Sequence, residues 1–283
     1  MATSFKKIMQ RPDGNVLVVD ALNLAFRWKH AGVFDFKDKF YETVVSLSHS
    51  YNCSKIIITA DKYSSRYRKA IYPEYKANRA KLREDQSEKE AEDFKRFIEG
   101  YEKALQFLRE LNYVVLQYDG VEADDLAAFV VKHRKSLGID NIWLISSDRD
   151  WDLLIDEGVN RWSYVNRKEF TIENWDEHYE VPREHYIDYK CLTGDPGDNV
   201  PGVQGVGPKR AVQLINQFGG VFDIYDSLPL SGKYKYIQAV NDFGEQLLVN
   251  VELMDLVTYC EEAVGEDNAR DALDRLQELF NAS

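Results

Sequence analysis

The sequence predicts an α/β fold with a mostly parallel sheet that carries helices on both faces. Short, continuously apolar segments alternate with segments of helical spacing, which is typical of parallel strands that are buried on both sides. The chain has 283 residues, of which 44% are hydrophobic and 30% are charged. This composition is typical of a globular protein with one large or two modest domains.

The strands and helices follow each other in a regular order. Apolar, β-rich runs predict strands over 15–20, 56–61, 113–117 and 142–145, and a further strand pair over 159–165 and 169–172. Apolar residues at helical spacing predict helices over 21–30, 39–51, 91–111, 123–135, 208–218, 234–256 and 271–280. Strands that alternate with helices indicate parallel crossovers in the first half, and the second half is mainly helical.

Carboxylates stand at or just beyond the ends of four of the predicted strands. They are Asp20, Asp61, Glu122, Asp124, Asp125, Asp148 and Asp150. One such residue is commonly a helix cap or a turn former. Four strands that deliver carboxylates to one edge are hard to explain by capping alone, because uncompensated like charges repel each other. An oxygen-only ligand set favours Mg²⁺ or Mn²⁺ over zinc, so we predict a divalent-metal site at this edge.

Basic residues are concentrated in one stretch although the formal net charge is −12. Between Lys62 and Arg83 there are eight basic residues and one acid, with four tyrosines interleaved. Cations neutralise phosphates and aromatic rings stack on bases, so the stretch favours binding of a single strand. The predicted DNA-binding cations here are Arg66, Arg68, Lys69 and Arg79. The alternative is a solvated basic helix whose tyrosines pack on the protein.

A Gly/Pro-rich stretch begins at Thr193 and contains Asp195 and Asp198. Gly205 and Gly207 allow close approach of a backbone. The helix that follows starts at Pro208, and its first turn carries Lys209 and Arg210, a pattern that favours phosphate binding. The stretch looks like a helix–hairpin–helix element, which holds a duplex by its backbone; an ordinary helical hairpin is the alternative.

The three cysteines are far apart and form no zinc-binding spacing. A disulfide framework is not expected, and a reducing cytosol suits this cysteine content. No apolar run reaches the length of a signal peptide or a membrane span, so we expect no membrane partner.

Several motifs together resemble the 5′-nuclease superfamily, most closely the bacteriophage 5′-exonucleases and flap endonucleases. The motifs are VVDALNLAFR, PEYKANR, GVEADDLAA, LISSDRDW and GDPGDNVPGVQGVGPKRA. The resemblance implies a PIN-like catalytic domain over 1–181 with a helical arch at about 62–95. It also implies a helical DNA-binding domain over 182–283 with a helix–three-turn–helix element at about 194–220.

The resemblance assigns roles to individual residues. Asp20, Asp61, Glu122, Asp124, Asp125, Asp148 and Asp150 match the first-domain metal ligands, and Asp195 and Asp198 match a second pair. Lys76, Tyr75 and Arg27 match catalytic positions near the reacting strand, and Lys209 and Arg210 match the grip on the duplex. A potassium ion is implied on backbone carbonyls around Val203 and Val206. Arg149 departs from the Gly or Lys that is frequent at its position.

The resemblance also implies an activity: two-metal-ion hydrolysis of DNA near single-strand/duplex junctions, as a flap endonuclease and 5′–3′ exonuclease. The implied setting is DNA replication with flap or primer removal, in the bacterial host cytosol if the chain is phage-encoded. The expected cofactor is Mg²⁺, with Mn²⁺ as a substitute, and the expected state is a monomer. A replication polymerase and a single-strand-binding protein are candidate partners. A PIN-like ribonuclease and a non-catalytic DNA-structure-binding protein are the alternatives.

Overall fold

A computed structural model describes residues 14–79 and 86–281. Within these residues a six-stranded sheet has the order β3-β2-β1-β4-β5-β6. The strands are β1 (Asn15–Asp20), β2 (Lys55–Thr59), β3 (Val114–Leu116), β4 (Asn141–Ile145), β5 (Val159–Ser163) and β6 (Lys168–Phe170). The first five are parallel, and β6 pairs antiparallel with β5. The predicted, mostly parallel sheet is therefore confirmed.

The predicted helices are present except the single helix over 234–256, and three second-half helices, Tyr186–Thr193, Val221–Asp226 and Leu256–Val264, were not predicted. The first half contains α1 (Ala21–His30), α2 (Lys37–Ser50), α3 (Arg66–Ile71), α4 (Glu88–Glu110) and α5 (Ala123–His133). The second half contains α6 (Tyr186–Thr193), α7 (Pro208–Phe218), α8 (Val221–Asp226), α9 (Lys235–Asp242), α10 (Gly244–Met254), α11 (Leu256–Val264) and α12 (Glu266–Asn281). Short 3₁₀ helices cover Asp150–Leu154, Trp175–Glu177 and Arg183–His185.

The prediction of one helix over 234–256 is wrong, because the chain breaks twice there. A break at Phe243 separates α9 from α10. Gly244 lies so close to Leu228 that a Cβ would be 2.6 Å from its Cδ1 atom. The second break is at Asp255, whose side chain accepts a hydrogen bond from the Thr258 amide and so starts α11.

The two faces of the sheet are covered by different helices. Leu17 and Val19 of β1 pack in a cluster with residues of α1, α2 and α4. Val16 and Val18 point the opposite way and pack in a cluster that contains α5 and the second-half helices. Burial on both faces explains why β1 is a continuous apolar run. Since the second cluster crosses residue 181, the proposed division into two domains stays a prediction.

The predicted arch is described only in part. Residues 80–85, which include Lys81 and Arg83, lie outside the described residues, as do 1–13 and 282–283. Helix α3 is capped by Ser65, whose side chain accepts from the Arg68 amide. Across the described chain, no helix has both the length and the apolar character that a membrane span requires.

Candidate metal centre and nucleic-acid interface

Asp20 and Asp61 end or follow neighbouring strands and each uses one oxygen to cap a helix. Asp20 Oδ1 accepts from the Asn23 amide at 3.1 Å, and Asp61 Oδ1 accepts from the Ala123 amide at 3.1 Å. Asp20 Oδ2 accepts from the Ser146 hydroxyl at 2.7 Å. Capping is therefore real at both positions, but it engages only one oxygen of each carboxylate.

Three carboxylates at the start of α5 lie close together. Among the described residues, one oxygen each of Glu122, Asp124 and Asp125 lies within 4.8 Å of the other two. Glu122 is the N-cap residue of α5, yet its side chain makes no capping bond. Its carboxylate instead faces residues that follow β2 and residues of the second half.

Lys76 and Tyr75 connect Glu122 to Asp198. Lys76 Nζ lies 2.8 Å from Glu122 Oε1 and 3.4 Å from Asp198 Oδ2. The Tyr75 hydroxyl lies 2.8 Å from Glu122 Oε2 and 2.9 Å from Asp198 Oδ2. The Lys76 amide also donates to the Asp198 carbonyl at 2.9 Å. The structure thus brings together residues that are 123 positions apart in the chain.

A second buried amine, on Lys190 of α6, joins another carboxylate pair. Lys190 Nζ contacts Asp150 and lies 3.2 Å from Asp195 Oδ2. The sequence analysis missed Lys190, since a single lysine in a short helix carries no signal of its own. Asp148, an exposed residue two positions before Asp150, accepts a hydrogen bond from the Asp150 amide at 3.0 Å.

Burial and mutual repulsion shift the protonation of this site. Burial raises the pKa of Asp61 to about 6, and the charge of Glu122 adds to the shift. Burial and the charge of Asp61 raise the pKa of Asp20 well above its ordinary value. Burial alone would raise the pKa of Glu122, but Lys76 and Arg68 lower it to about 2. The site therefore holds more negative charge than its own cations compensate.

These properties fit a divalent-metal centre. The donor atoms are carboxylate oxygens, the ligand type that Mg²⁺ and Mn²⁺ prefer. Raised carboxylate pKa values show that further positive charge would be favourable at Asp20 and Asp61. We expect a divalent ion to supply that charge in competition with Lys76.

The structure argues against the predicted role of Arg68 as a DNA-binding cation. Its side chain is buried, and Nη1 and Nη2 donate to the two oxygens of Asp125 at 2.8 and 2.7 Å. Its Nε donates to the Leu253 carbonyl at 2.8 Å. Asp125 is fully buried, and both of its oxygens accept hydrogen bonds from Arg68. A structural role therefore competes with its predicted role as a metal ligand.

The other predicted cations near the arch are exposed. Arg66 and Lys69 lie at the surface of α3, and Arg79 Nη2 lies 2.8 Å from Asp198 Oδ1. Arg27 is exposed on α1 with its guanidinium 5.0 Å from the centre of the Trp28 ring. It lies about 10 Å along the helix from Asp20, since each helical residue rises about 1.5 Å. Of these four, only Arg79 therefore contacts a candidate ligand in the structure.

The glycine-rich hairpin presents an open surface before α7. Gly205 has a φ of +78°, and a Cβ on Gly207 would meet nothing within 4 Å. Lys209 is exposed, whereas Arg210 Nη1 donates to the Gly205 carbonyl at 2.5 Å. The predicted potassium position is partly engaged, because the Val203 carbonyl accepts from the Val206 amide at 2.9 Å.

A buried asparagine that the sequence analysis missed holds the hairpin in place. Asn250 of α10 is fully buried. Its Nδ2 donates to the Cys191 carbonyl at 3.0 Å and to the Pro201 carbonyl at 2.7 Å. Asn250 therefore ties the hairpin to α6 and α10.

Comparison with known proteins decides the family. Residues 15–180 match the model of the 5′-3′ exonuclease N-terminal resolvase-like domain, and residues 181–274 match that of the 5′-3′ exonuclease C-terminal SAM fold. The chain belongs to the 5′-3′ exonuclease family. It is 41% identical over 258 residues to the flap endonuclease of Escherichia phage T5, which covers 89% of this chain and 88% of that protein.

Solved structures of this family agree with the fold. The T5 5′-exonuclease with bound divalent zinc ions has a TM-score of 0.89 at 39% identity, over 94% of this chain and 99% of that one. A T5 flap endonuclease pseudo-enzyme–product complex with DNA and metal ions gives the same values. This chain is therefore a nuclease of the 5′-3′ exonuclease family, and the predicted fold, enzyme class and family are confirmed.

Proposed function

We propose that the chain is a structure-specific 5′-nuclease that cuts DNA near the junction of a 5′ single strand and a duplex. The observation that carries the proposal is the single edge where carboxylates from both halves meet two buried lysines. The proposed metal ligands are Asp20, Asp61, Glu122, Asp124, Asp148, Asp150, Asp195 and Asp198, with Asp125 as a supporting residue.

Divalent ions bound at this edge would activate the attacking water and stabilise charge on the attacking and leaving oxygens. The protein supplies the remaining positive charge. When the substrate binds, the Lys76 amine leaves Glu122 and Asp198 and contacts the phosphate that is cut. Its positive charge then stabilises the transition state without reorganisation of water. Tyr75 fixes the orientation of Glu122 and Asp198 by its two hydrogen bonds.

We propose Mg²⁺ as the working ion, with Mn²⁺ as a substitute, since both prefer an oxygen-only ligand set. We propose that a potassium ion binds the hairpin carbonyls around Val203 and Val206, where it would link the hairpin to a duplex phosphate. The exposed Lys209 and the helix start at Pro208 then fix where the duplex lies. The distance between this duplex-binding surface and the carboxylate edge sets how far the 5′ strand reaches towards the carboxylates. Cleavage therefore depends on DNA structure and not on sequence.

The proposed setting is DNA replication in a bacterial host cytosol, with flap or primer removal by a monomer. A replication polymerase or a single-strand-binding protein is the proposed protein partner. In the ribonuclease alternative, the 5′ strand that is cut is RNA. The duplex-binding surface at Lys209 and Pro208 favours a DNA junction instead.

The discriminating test compares two flap substrates that share one duplex and carry either a DNA or an RNA 5′ strand. In Mg²⁺ we expect single-turnover cleavage of the DNA flap near the junction, with 5′-phosphate and 3′-hydroxyl products. Faster cleavage of the RNA flap would favour the ribonuclease instead. Tight binding of both without cleavage would leave a DNA-structure-binding protein.

A further inference from the structure

A polar pocket opens beside the carboxylate edge, between the exit of β4 and the β5–β6 hairpin. Its volume is about 160 Å³. Its polar lining includes Ser147, Arg149, Arg161, Asn166, Lys168 and His178. The described residues that line it include three permanent cations and no carboxylate. This space is large enough for one phosphate group, and its cations match the charge of that group.

The wall of the pocket is a buried arginine held in one orientation. Arg161 is 1% exposed, and its Nε donates to Asp152 Oδ1 at 2.6 Å. Its Nη1 donates to the Ser146 carbonyl at 2.9 Å, and its guanidinium lies 4.1 Å from the centre of the Phe170 ring. These two hydrogen bonds use two of the five N–H donors of a guanidinium group.

The rim adds mobile charge and a hydroxyl donor. Arg149 and Lys168 are exposed residues that line the pocket, one after β4 and one at the start of β6. Ser147 Oγ accepts from the Ser163 hydroxyl at 3.0 Å and from the Val165 amide at 3.3 Å. The O–H group of Ser147 can therefore donate a hydrogen bond to a ligand in the pocket.

The position of the pocket points to its ligand. Arg149 stands between Asp148 and Asp150, so an anion held by Arg149 lies next to the proposed metal centre. The carboxylate edge repels a DNA backbone wherever no metal ion compensates it, and a cationic pocket at its border offsets that repulsion.

We propose that this pocket binds a backbone phosphate of the substrate strand, next to the phosphate that is cut. The proposal rests on the proposed nuclease function. The ligand is an internal phosphodiester, and the Arg149 and Lys168 side chains and the Ser147 hydroxyl are its donors, while the buried Arg161 guanidinium, paired with Asp152, forms the wall behind them. The pocket positions the strand and takes no part in bond cleavage.

The test uses Lys168→Ala, because Lys168 is exposed and the fold does not depend on it. The matched control is Lys103→Ala, an exposed lysine on α4. Flap DNA is bound in Ca²⁺, and a neutral methylphosphonate is placed at one linkage after another. In the wild type and in the control, we expect one linkage near the junction to weaken binding by up to about fivefold, as for one exposed charge contact. In Lys168→Ala the same linkage should weaken binding less than it does in the wild type, because one of the contacts is already lost, and the salt dependence should be about one unit flatter.

Equal sensitivity of the variant and the control at every linkage would overturn the pocket proposal. Binding of strands with a 5′-phosphate and with a 5′-hydroxyl is also compared. If Lys168→Ala weakens only the contact with the terminal 5′-phosphate, the ligand is a chain end and the proposal is overturned. Cleavage of the unmodified DNA by the wild type in Mg²⁺ is measured in parallel. Loss of that cleavage would contradict the nuclease function itself, so the two failures are distinguishable.

Discussion

Replacement of Lys76 by alanine removes the amine that lies 2.8 Å from Glu122 Oε1 and 3.4 Å from Asp198 Oδ2. Without metal, this amine compensates both carboxylates, so an entering divalent ion must compete with it. A hydrogen bond to a charged group contributes about 1.5–3 kcal/mol, and each 1.4 kcal/mol is a factor of ten. We therefore expect Lys76→Ala to bind Mn²⁺ roughly tenfold more tightly or better. Turnover should fall on the order of 10²-fold, because the charge at the phosphate is lost.

The two effects have opposite signs and are measured separately. Calorimetric titration of the DNA-free protein with Mn²⁺ gives the metal affinity, and single-turnover cleavage of flap DNA at saturating Mg²⁺ gives the rate. Lys39→Ala, an exposed lysine on α2, is the control and should change neither quantity. Unchanged Mn²⁺ affinity in Lys76→Ala would refute competition between the amine and the metal. An unchanged rate would reduce Lys76 to a structural role.

Four further predictions follow from the site and its surroundings. Asp148→Asn should abolish cleavage and preserve or tighten DNA binding, since it removes negative charge near phosphate; a near-normal rate would exclude Asp148 as a ligand. Lys209→Ala should flatten the salt dependence of duplex binding by about one unit in a titration of affinity against salt. Arg68→Met should lower the free energy of unfolding in urea by about 3–5 kcal/mol, because it leaves Asp125 buried and unpaired, and a loss below 1 kcal/mol would contradict that pair. Because Asp61 has a raised pKa of about 6, metal binding must displace its proton below that pH. Apparent Mn²⁺ affinity should therefore rise as the pH rises through about 6, with proton release seen in calorimetry in two buffers.

The strands and the carboxylate edge could be predicted because their signals are local. β1 was predicted with its observed bounds, since burial on both faces requires a continuous apolar run. Asp20 and Asp61 stand at or just after strand ends, where chain direction alone brings neighbouring parallel strands to one edge. The predicted α7 also has its observed bounds, because Pro208 and Gly219 mark both of its ends.

Residues whose roles depend on contacts between distant elements could not be predicted. Arg66, Arg68 and Lys69 look alike in sequence, and only the docking of α3 beside Leu253 and Asp125 buries Arg68. Lys190 is similar, since its carboxylate partners follow β4 and α6.

The most direct test of metal-dependent 5′-nuclease activity is cleavage of a 5′-labelled DNA flap in Mg²⁺, in Ca²⁺ and with a chelator. We predict release of a short 5′-labelled fragment, cut near the junction, in Mg²⁺ alone, with binding but no cut in Ca²⁺. Cleavage that persists with the chelator would contradict the metal centre, and tight binding without any cut in Mg²⁺ would contradict the enzyme.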